Sequence, residues 1–478
     1  MDVMPHKKQE NRQRQVIGET ESLCPECLRL VSAKRVAENG NVYLEKNCPE
    51  HGYYKTIIWR GDARSFLDWG SCSQEASGPL QSLTDTNRGC PYDCGPCPEH
   101  QANACTMVIE VTRRCNLSCP VCFASSGALA EHDPDLETIR RMYQTVLDTT
   151  GTPTIQLSGG EPTVRDDLPE IVAMGRQMGF EHIMINTNGI RIAKDKEYLR
   201  RLVDSGTGTI YFQFDGLTDE VYNYTRGSNL AKLKFDTIHH CADAKVGVIL
   251  VPTLVPGIND QQLGDMVRFA KKWIPTVKGI HFQPVSYFGR YPEAPRDEDR
   301  ITIPDVIDGL IKQVGEEIKL ENFIPRRSKD SHCSFSSLFV LGKDGRLKAA
   351  SRRLTEELIS GWGGYKKQPW ESARSFMNIH WKHGEEEKLK DAGAGCCCGT
   401  NNKSGCSTSE SIFERVQMFD LSITCMPFQD MWTLDLERIK RCCGHVVTPH
   451  NRIVPFCVYY LTGASGERLY CHNSAKRC

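Results

Sequence analysis

Six short apolar runs, spaced along residues 106–290, constrain this chain more than any other feature. They are "MVIEV" (Met107–Val111), "TIQLS" (Thr154–Ser158), "HIMINT" (His182–Thr187), "TIYFQF" (Thr209–Phe214), "VGVILVPT" (Val246–Thr253) and "GIHFQPV" (Gly279–Val285). Each is rich in β-branched residues. Amphipathic helical stretches such as "DLETIRRMYQTVLDT" and "DLPEIVAMGRQMG" lie between them. Strand and helix in alternation predict a parallel sheet with helices outside it. Strands that are apolar almost throughout fit a sheet covered on both faces. A doubly wound open sheet satisfies the same pattern. The unusual residue groups follow the C-terminal ends of the strands, which favours a barrel-type sheet with its site at that end.

The chain has 478 residues, with Lys plus Arg at 59 and Asp plus Glu at 60, so its net charge is −1. No basic excess points to nucleic acid. No apolar run reaches transmembrane length, and the polar start "MDVMPHKKQENRQRQ" lacks the apolar centre of a signal peptide. A cytoplasmic protein is expected, with peripheral membrane contact left open. The 23 cysteines are unusual for a chain of this length. In a reducing compartment such clusters serve as metal ligands rather than disulfides. Eleven precede residue 123 and eleven lie at or beyond residue 333; Cys241 stands alone between them and reads as a small buried hydrophobe.

Directly after the first apolar run comes "TRRCNLSCPVCFASSG", with Cys115, Cys119 and Cys122 spaced C-x3-C-x2-C. Three thiolates hold three irons of a [4Fe–4S] cube and leave the fourth iron open to a ligand. A zinc site, or a cube closed by a remote cysteine, is the competing reading. Polar turns follow the next strands: "QLSGGEP" (Gln156–Pro162), "NTNG" (Asn186–Gly189) and "QFDG" (Gln213–Gly216). Gly159 and Gly160 permit close backbone approach to a ligand, and Glu161 adds a carboxylate.

On these motifs, residues 105–290 resemble the radical S-adenosylmethionine superfamily. The resemblance implies that the cysteine loop holds the cluster and that S-adenosylmethionine binds the open iron. It implies ligand contacts from Gly159, Gly160 and Glu161, and from Asn188 and Asp215 after later strands. It further implies reductive cleavage of S-adenosylmethionine and hydrogen abstraction from substrate, with an electron donor such as ferredoxin or flavodoxin.

Further metal sites flank this region. "SLCPECLRL" and "KNCPEHGYY" supply Cys24, Cys27, Cys48 and His51 as two knuckles suited to a tetrahedral metal, with zinc the direct reading. Cys72 in place of His51 gives a four-thiolate, rubredoxin-like iron site. "GCPYDCGPCPEHQANAC" repeats the C-x3-C-x2-C spacing at Cys90, Cys94 and Cys97, and Cys105 offers a fourth thiolate for a complete auxiliary [4Fe–4S] cluster. "GAGCCCGTNNKSGC" (Gly393–Cys406) reads as irregular, and the role of Cys396–Cys398 stays open between redox-active thiols, a soft-metal site and a functionless loop.

The whole layout resembles the archaeal tetraether lipid synthase group, whose relatives are also described as dimethyltransferases of 7,8-dihydro-6-hydroxymethylpterin. The carriers of the likeness are "CPEC…CPEHG", "GCPYDCGPCPEH", "EVTRRCNLSCPVCFA" and, near the end, "SITCMPFQDMW", "RCCGHVV" and "IVPFC". It implies one or two auxiliary clusters, the second held by Cys333, Cys425, Cys442 or Cys443, and Cys457. The expected fold is therefore α/β: a partial (β/α)6 radical-SAM barrel (106–290), an N-terminal rubredoxin/zinc-ribbon-like module (1–75), an auxiliary-cluster segment (76–105) and a cysteine-rich C-terminal region that covers the substrate (291–478). The expected reaction joins or modifies isoprenoid lipid chains. Radical methylation of a pterin or other small substrate is the alternative, and an iron–sulfur electron carrier is the alternative outside catalysis. Tyr222, Tyr224, Tyr287 and Phe288 are candidates to line an apolar channel, or ordinary core and rim residues.

Overall fold

The structure is a computed structural model that describes residues 14–71, 78–79, 81–127, 133–326, 330–350 and 418–470. Cys72, Cys396–Cys398, Cys406, Cys471 and Cys478 lie outside the described residues.

Four antiparallel strands open the chain: β1 (Gln15–Leu23), β2 (Leu30–Glu38), β3 (Asn41–Cys48) and β4 (Gly52–Trp59), paired in sequence order. The turns at Cys24–Leu28 and Cys48–Gly52 stand at neighbouring ends of this sheet. The sheet docks on the C-terminal region through Asp435, whose carboxylate accepts from Thr20 Oγ1 at 2.7 Å and from Arg35 Nε at 2.8 Å. Buried Lys46 donates to the Met431 carbonyl at 2.6 Å.

The six apolar runs all form strands: β5 (Thr106–Thr112), β6 (Thr154–Gly159), β7 (Ile183–Thr187), β8 (Thr209–Gln213), β9 (Gly247–Val251) and, after the short β10 (Thr253–Leu254), β11 (Val277–Pro284). They pair in parallel in the order β5-β6-β7-β8-β9-β11. Helices cross between them: α2 (Leu136–Thr150), α3 (Leu168–Gln177), α4 (Ile190–Lys194), α5 (Lys196–Asp204), α6 (Asp219–Arg226), α7 (Ala231–Asp243) and α8 (Leu263–Lys272), with α1 (Ala63–Gly70) following the small sheet. Helix α2 shows how the pattern works. Asp135 caps its start by accepting from Thr138 N, and Ile139, Met142, Tyr143 and Val146 recur on one face and are fully buried. Each such side chain contributes roughly 1.5–3 kcal/mol on burial. Cys241, on α7, is fully buried in the same core.

The sheet does not end with six strands. In the C-terminal region β15 (Asp420–Cys425) pairs in parallel with β11, and β16 (Gly444–Val447) pairs in parallel with β5. Antiparallel neighbours follow outward: β13 (Phe335–Leu341) beside β15, with β12 (Ile324–Pro325) and β14 (Leu347–Ala349) against β13, and β17 (Ile453–Pro455) beside β16. The C-terminal region therefore extends both edges of the parallel sheet as well as covering its mouth. No helix among the described residues is long and apolar enough to cross a membrane.

Candidate active site and metal centres

The C-terminal ends of β5 and β6 are stitched together by backbone. Thr112 at the end of β5 pairs with Gly159 at the end of β6, Gly160 N donates to Thr112 O at 2.8 Å, and Glu161 N donates to Arg114 O at 2.9 Å. A Cβ on Gly159 would meet Thr112 O at 2.0 Å and one on Gly160 would meet Arg114 O at 2.2 Å. The two glycines are needed because the cysteine loop runs directly over them. This is a narrower reason than the ligand approach expected from sequence.

The loop itself (113–127) is closed at its base by Cys115 N donating to Gly127 O at 3.2 Å. Arg290 clamps its far side: its backbone exchanges two hydrogen bonds with Cys122, and its Nε donates to Cys119 O at 2.9 Å. Burial, with Glu161, Cys119 and Cys122 nearby, pushes the Cys115 thiol up to about 12. Three thiolates packed beside a carboxylate are costly unless a cation joins them, so the donor set suits a cluster of net positive core charge.

Glu161 is buried and fully engaged. Its Oε1 accepts from Thr163 N at 3.0 Å, Thr163 Oγ1 at 2.6 Å and Thr187 Oγ1 at 2.7 Å, and its Oε2 accepts from Asn188 N at 2.6 Å. It thereby ties the β6 turn to the β7 turn. Asn188 in turn donates through Nδ2 to Asn116 Oδ1 at 2.7 Å, inside the cysteine loop. Both residues line the main cavity.

Asp215 is placed differently from the ligand contact expected. It is fully buried behind the cavity wall, where its carboxylate accepts from Gln213, from Thr225 Oγ1 at 2.9 Å, from Arg226 Nε at 2.6 Å and Nη2 at 2.9 Å, and from Thr253 N at 3.0 Å. Burial works to raise its pKa, but Arg226 outweighs burial and holds the carboxyl below the usual carboxylate range. The group that reaches the cavity is Arg226, which also approaches the Cys119 sulfur. Arg226 ends α6, and Gly227 at φ 72° turns the chain away immediately after it. Lys234, like Arg226 and Arg290, was missed from sequence. It is fully buried and donates to Asn188 O at 2.7 Å and to Gln213 O and Oε1 at 2.9 and 2.6 Å. A lone Lys or Arg in an amphipathic helix gives no such signal; only the fold brings them under the β7 and β8 turns.

The main cavity holds about 310 Å³. Strands supply polar side chains to it, among them Gln156, Asn186, Tyr211, His281 and Gln283. Connecting segments supply apolar ones, including Val121, Phe123, Phe288 and Phe428, and Phe456 adds another from the start of the helix Phe456–Tyr460. Phe288 thus lines the cavity, whereas Tyr222 and Tyr287 are buried with their hydroxyls donated to the Gly216 and Asp299 carbonyls, and Tyr224 is exposed. Cys333, Cys425, Cys442, Cys443 and Cys457 all line this same cavity. Arg438 Nη2 lies 3.4 Å from Cys333 Sγ, and Gln429 N donates to Cys457 Sγ at 3.4 Å.

Cys105 joins this C-terminal group. Its Sγ lies 2.8 Å from Cys443 Sγ, and its N–H donates to Cys443 O at 2.9 Å. Cys90, Cys94 and Cys97 instead line a separate small pocket with His100 and His445. The expected grouping of Cys105 with those three therefore does not correspond to its place in the fold, because β5 starts at Thr106 and turns the Cys105 side chain toward β16.

At the N-terminal sheet, the donor atoms of Cys24, Cys27, Cys48 and His51 all lie within 4.8 Å of one another. Cys24 Sγ and Cys48 Sγ stand 3.7 and 3.5 Å from His51 Nδ1, and Cys27 Sγ stands 3.9 Å from Cys48 Sγ. Metal–sulfur bonds of about 2.3 Å place tetrahedral corners about 3.8 Å apart, so this set fits one zinc or iron ion with His51 as the fourth donor.

Comparison with known proteins agrees with this geometry. Residues 109–270 match the Radical SAM superfamily, and residues 16–60 match the HMPTM N-terminal zinc ribbon domain. A 7,8-dihydro-6-hydroxymethylpterin dimethyltransferase of Methanocaldococcus jannaschii is 37% identical over 92% of this chain and 92% of its own length. A GTP 3′,8-cyclase of Syntrophomonas wolfei is 31% identical over 39% of this chain, which spans 58% of that protein. Among solved structures, Streptococcus suis SuiB bound to precursor peptide SuiA is a weak likeness, with 16% identity, a TM-score of 0.38, and cover of 45% of this chain and 46% of that one. The barrel strands, the cysteine loop stitched to the GGE turn, and a relative matching nearly end to end place this chain in the radical SAM superfamily of enzymes, with an N-terminal zinc-ribbon domain.

Proposed function

We propose that this radical SAM enzyme is a methylase of a small heterocyclic substrate, with a reduced pterin as the first candidate. The observation that carries the reading is the end-to-end similarity to a pterin dimethyltransferase. The row of amide, phenol and imidazole groups that the strands turn into the cavity supports it, because a heterocycle edge needs such donors and acceptors. In this reading Cys115, Cys119 and Cys122 hold the [4Fe–4S] cluster. Gly159, Gly160, Glu161 and Asn188 shape the S-adenosylmethionine site, and Asp215 acts on it through Arg226. With both cofactors bound, the site supplies reductive cleavage of the sulfonium and a hydrogen-abstracting 5′-deoxyadenosyl radical. Cys24, Cys27, Cys48 and His51 hold zinc or iron. The remaining clustered cysteines hold auxiliary clusters, and a ferredoxin or flavodoxin supplies electrons.

A second reading, coupling or modification of isoprenoid lipid chains, is favoured by the apolar side chains that line the cavity, Phe123, Phe288, Phe428 and Phe456 among them. Product mass separates the two. Reconstituted protein with dithionite, S-adenosylmethionine and either a reduced pterin or an archaeal-type diether lipid is analysed by mass spectrometry. Gain of CH2 units on the pterin supports the methylase; loss of hydrogens with joined chains supports coupling and overturns it.

A further inference from the structure

The tetrapeptide Cys-Pro-Glu-His occurs twice, at Cys48–His51 and at Cys97–His100. In the first copy the knuckle brings His51 Nδ1 to 3.5 Å from the Cys48 sulfur. His51 is there the nitrogen donor of a four-ligand set. The second copy repeats the turn. Its backbone turns back at the histidine, where His100 N donates to Cys97 O at 3.0 Å. Together with Cys90 and Cys94 this gives C-x3-C-x2-C-x2-H, and all four side chains line one small pocket.

The hydrogen bonds of His100 fix which nitrogen is free. Its Nε2 lies 2.8 Å from the Cys442 carbonyl and 3.1 Å from His445 Nε2. A carbonyl only accepts, so His100 carries its proton on Nε2, and the lone pair is left on Nδ1. An imidazole that donates one N–H to a backbone carbonyl and offers its other nitrogen is the usual arrangement of a ligating histidine. The same nitrogen, Nδ1, faces the sulfurs in the first knuckle. Cys105, the other candidate for a fourth donor, stands 2.8 Å from Cys443 and lines the main cavity.

We propose that Cys90, Cys94, Cys97 and His100 Nδ1 form one three-sulfur, one-nitrogen site for an iron–sulfur cluster, in place of a four-thiolate site completed by Cys105. The proposal rests on the auxiliary-cluster part of the function proposed above, and not on which substrate the main cavity takes. Histidine ligation raises the potential of iron–sulfur centres relative to all-thiolate ones, so this site would accept electrons more readily than a four-thiolate cluster.

The test uses full-length protein carrying Cys115→Ala, Cys119→Ala and Cys122→Ala, which removes the radical cluster signal, grown with 15N-histidine and examined by pulsed electron paramagnetic resonance after reduction. A strongly coupled 15N nucleus is expected on a cluster signal. It should persist in His445→Gln and disappear in His100→Cys with iron content retained. Cys90→Ala should remove the signal and the iron of one cluster. Iron lost in Cys90→Ala with no coupled nitrogen in the parent protein would overturn histidine ligation and leave the auxiliary cluster standing. Unchanged iron in Cys90→Ala would overturn both.

Discussion

Asp215 grips Arg226 through two hydrogen bonds, 2.6 Å to Nε and 2.9 Å to Nη2, with the carboxylate fully buried and the guanidinium facing the main cavity. The pair converts a residue at the end of β8 into the aim of a cation at the cysteine loop. Removing one member of a buried ion pair leaves the other uncompensated and costs about 3–5 kcal/mol. Asp215→Ala is therefore expected to lower the unfolding free energy measured by urea titration by an amount of that order. Arg226→Gln should weaken S-adenosylmethionine binding at least tenfold in isothermal titration while the ribbon metal stays bound.

Lys234 carries the clearest pH signature. Burial, opposed by Asp215, pushes its pKa down from 10.5 to about 7. Between those values the unfolded chain binds the proton that the folded chain has lost, so this residue makes stability rise with pH across that window and is a full penalty below it. The difference in unfolding free energy between the natural protein and Lys234→Met should become more favourable to the natural protein from about pH 7 to about pH 10. A flat difference over that range would show that three carbonyl-type acceptors hold Lys234 charged.

Gly160 tests the close stacking of the two turns. A methyl group there would meet Arg114 O at 2.2 Å and Arg114 C at 2.7 Å, both backbone atoms that cannot swing aside. Gly160→Ala should displace the cysteine loop and cut cluster incorporation and 5′-deoxyadenosine formation by more than tenfold. Metal content of the ribbon, measured in the same samples, should not change.

His51 and Cys48 test the N-terminal site. Their donor atoms are 3.5 Å apart in a set that closes on a single ion. Cys48→Ala should release that ion, read by elemental analysis as zinc or iron, and lower the thermal midpoint. The radical cluster content should be retained, since the ribbon's hydrogen bonds to the rest of the chain run to residues such as Tyr92, Asp297, Met431, Asp435 and Ala464, which lie outside the cysteine loop.

Much of this was legible in the residues, for identifiable reasons. The six barrel strands could be read because each is a short, mostly apolar run enriched in β-branched residues, and the cysteine loop could be read because ligand spacing survives without a fold. Cys24, Cys27, Cys48 and His51 meet as two local knuckles, so sequence distance approximated spatial distance. The strands β15 and β16, which flank the six on either side, could not be read, since "DLSITC" and "GHVV" are too short for periodicity to speak. Arg226, Lys234 and Arg290 were missed because their roles depend on which turns the sheet brings together. Cys105 was grouped by proximity in sequence with Cys97, whereas the pairing of β5 with β16 carries it to Cys443.

The most direct test of the central claim is formation of 5′-deoxyadenosine by anaerobically reconstituted protein given dithionite and S-adenosylmethionine, beside Cys119→Ala. The natural protein should form it, and the variant should form none while keeping its ribbon metal. Equal amounts from both, or none from the natural protein with its full iron content confirmed, would contradict the assignment of Cys115, Cys119 and Cys122 to the radical cluster.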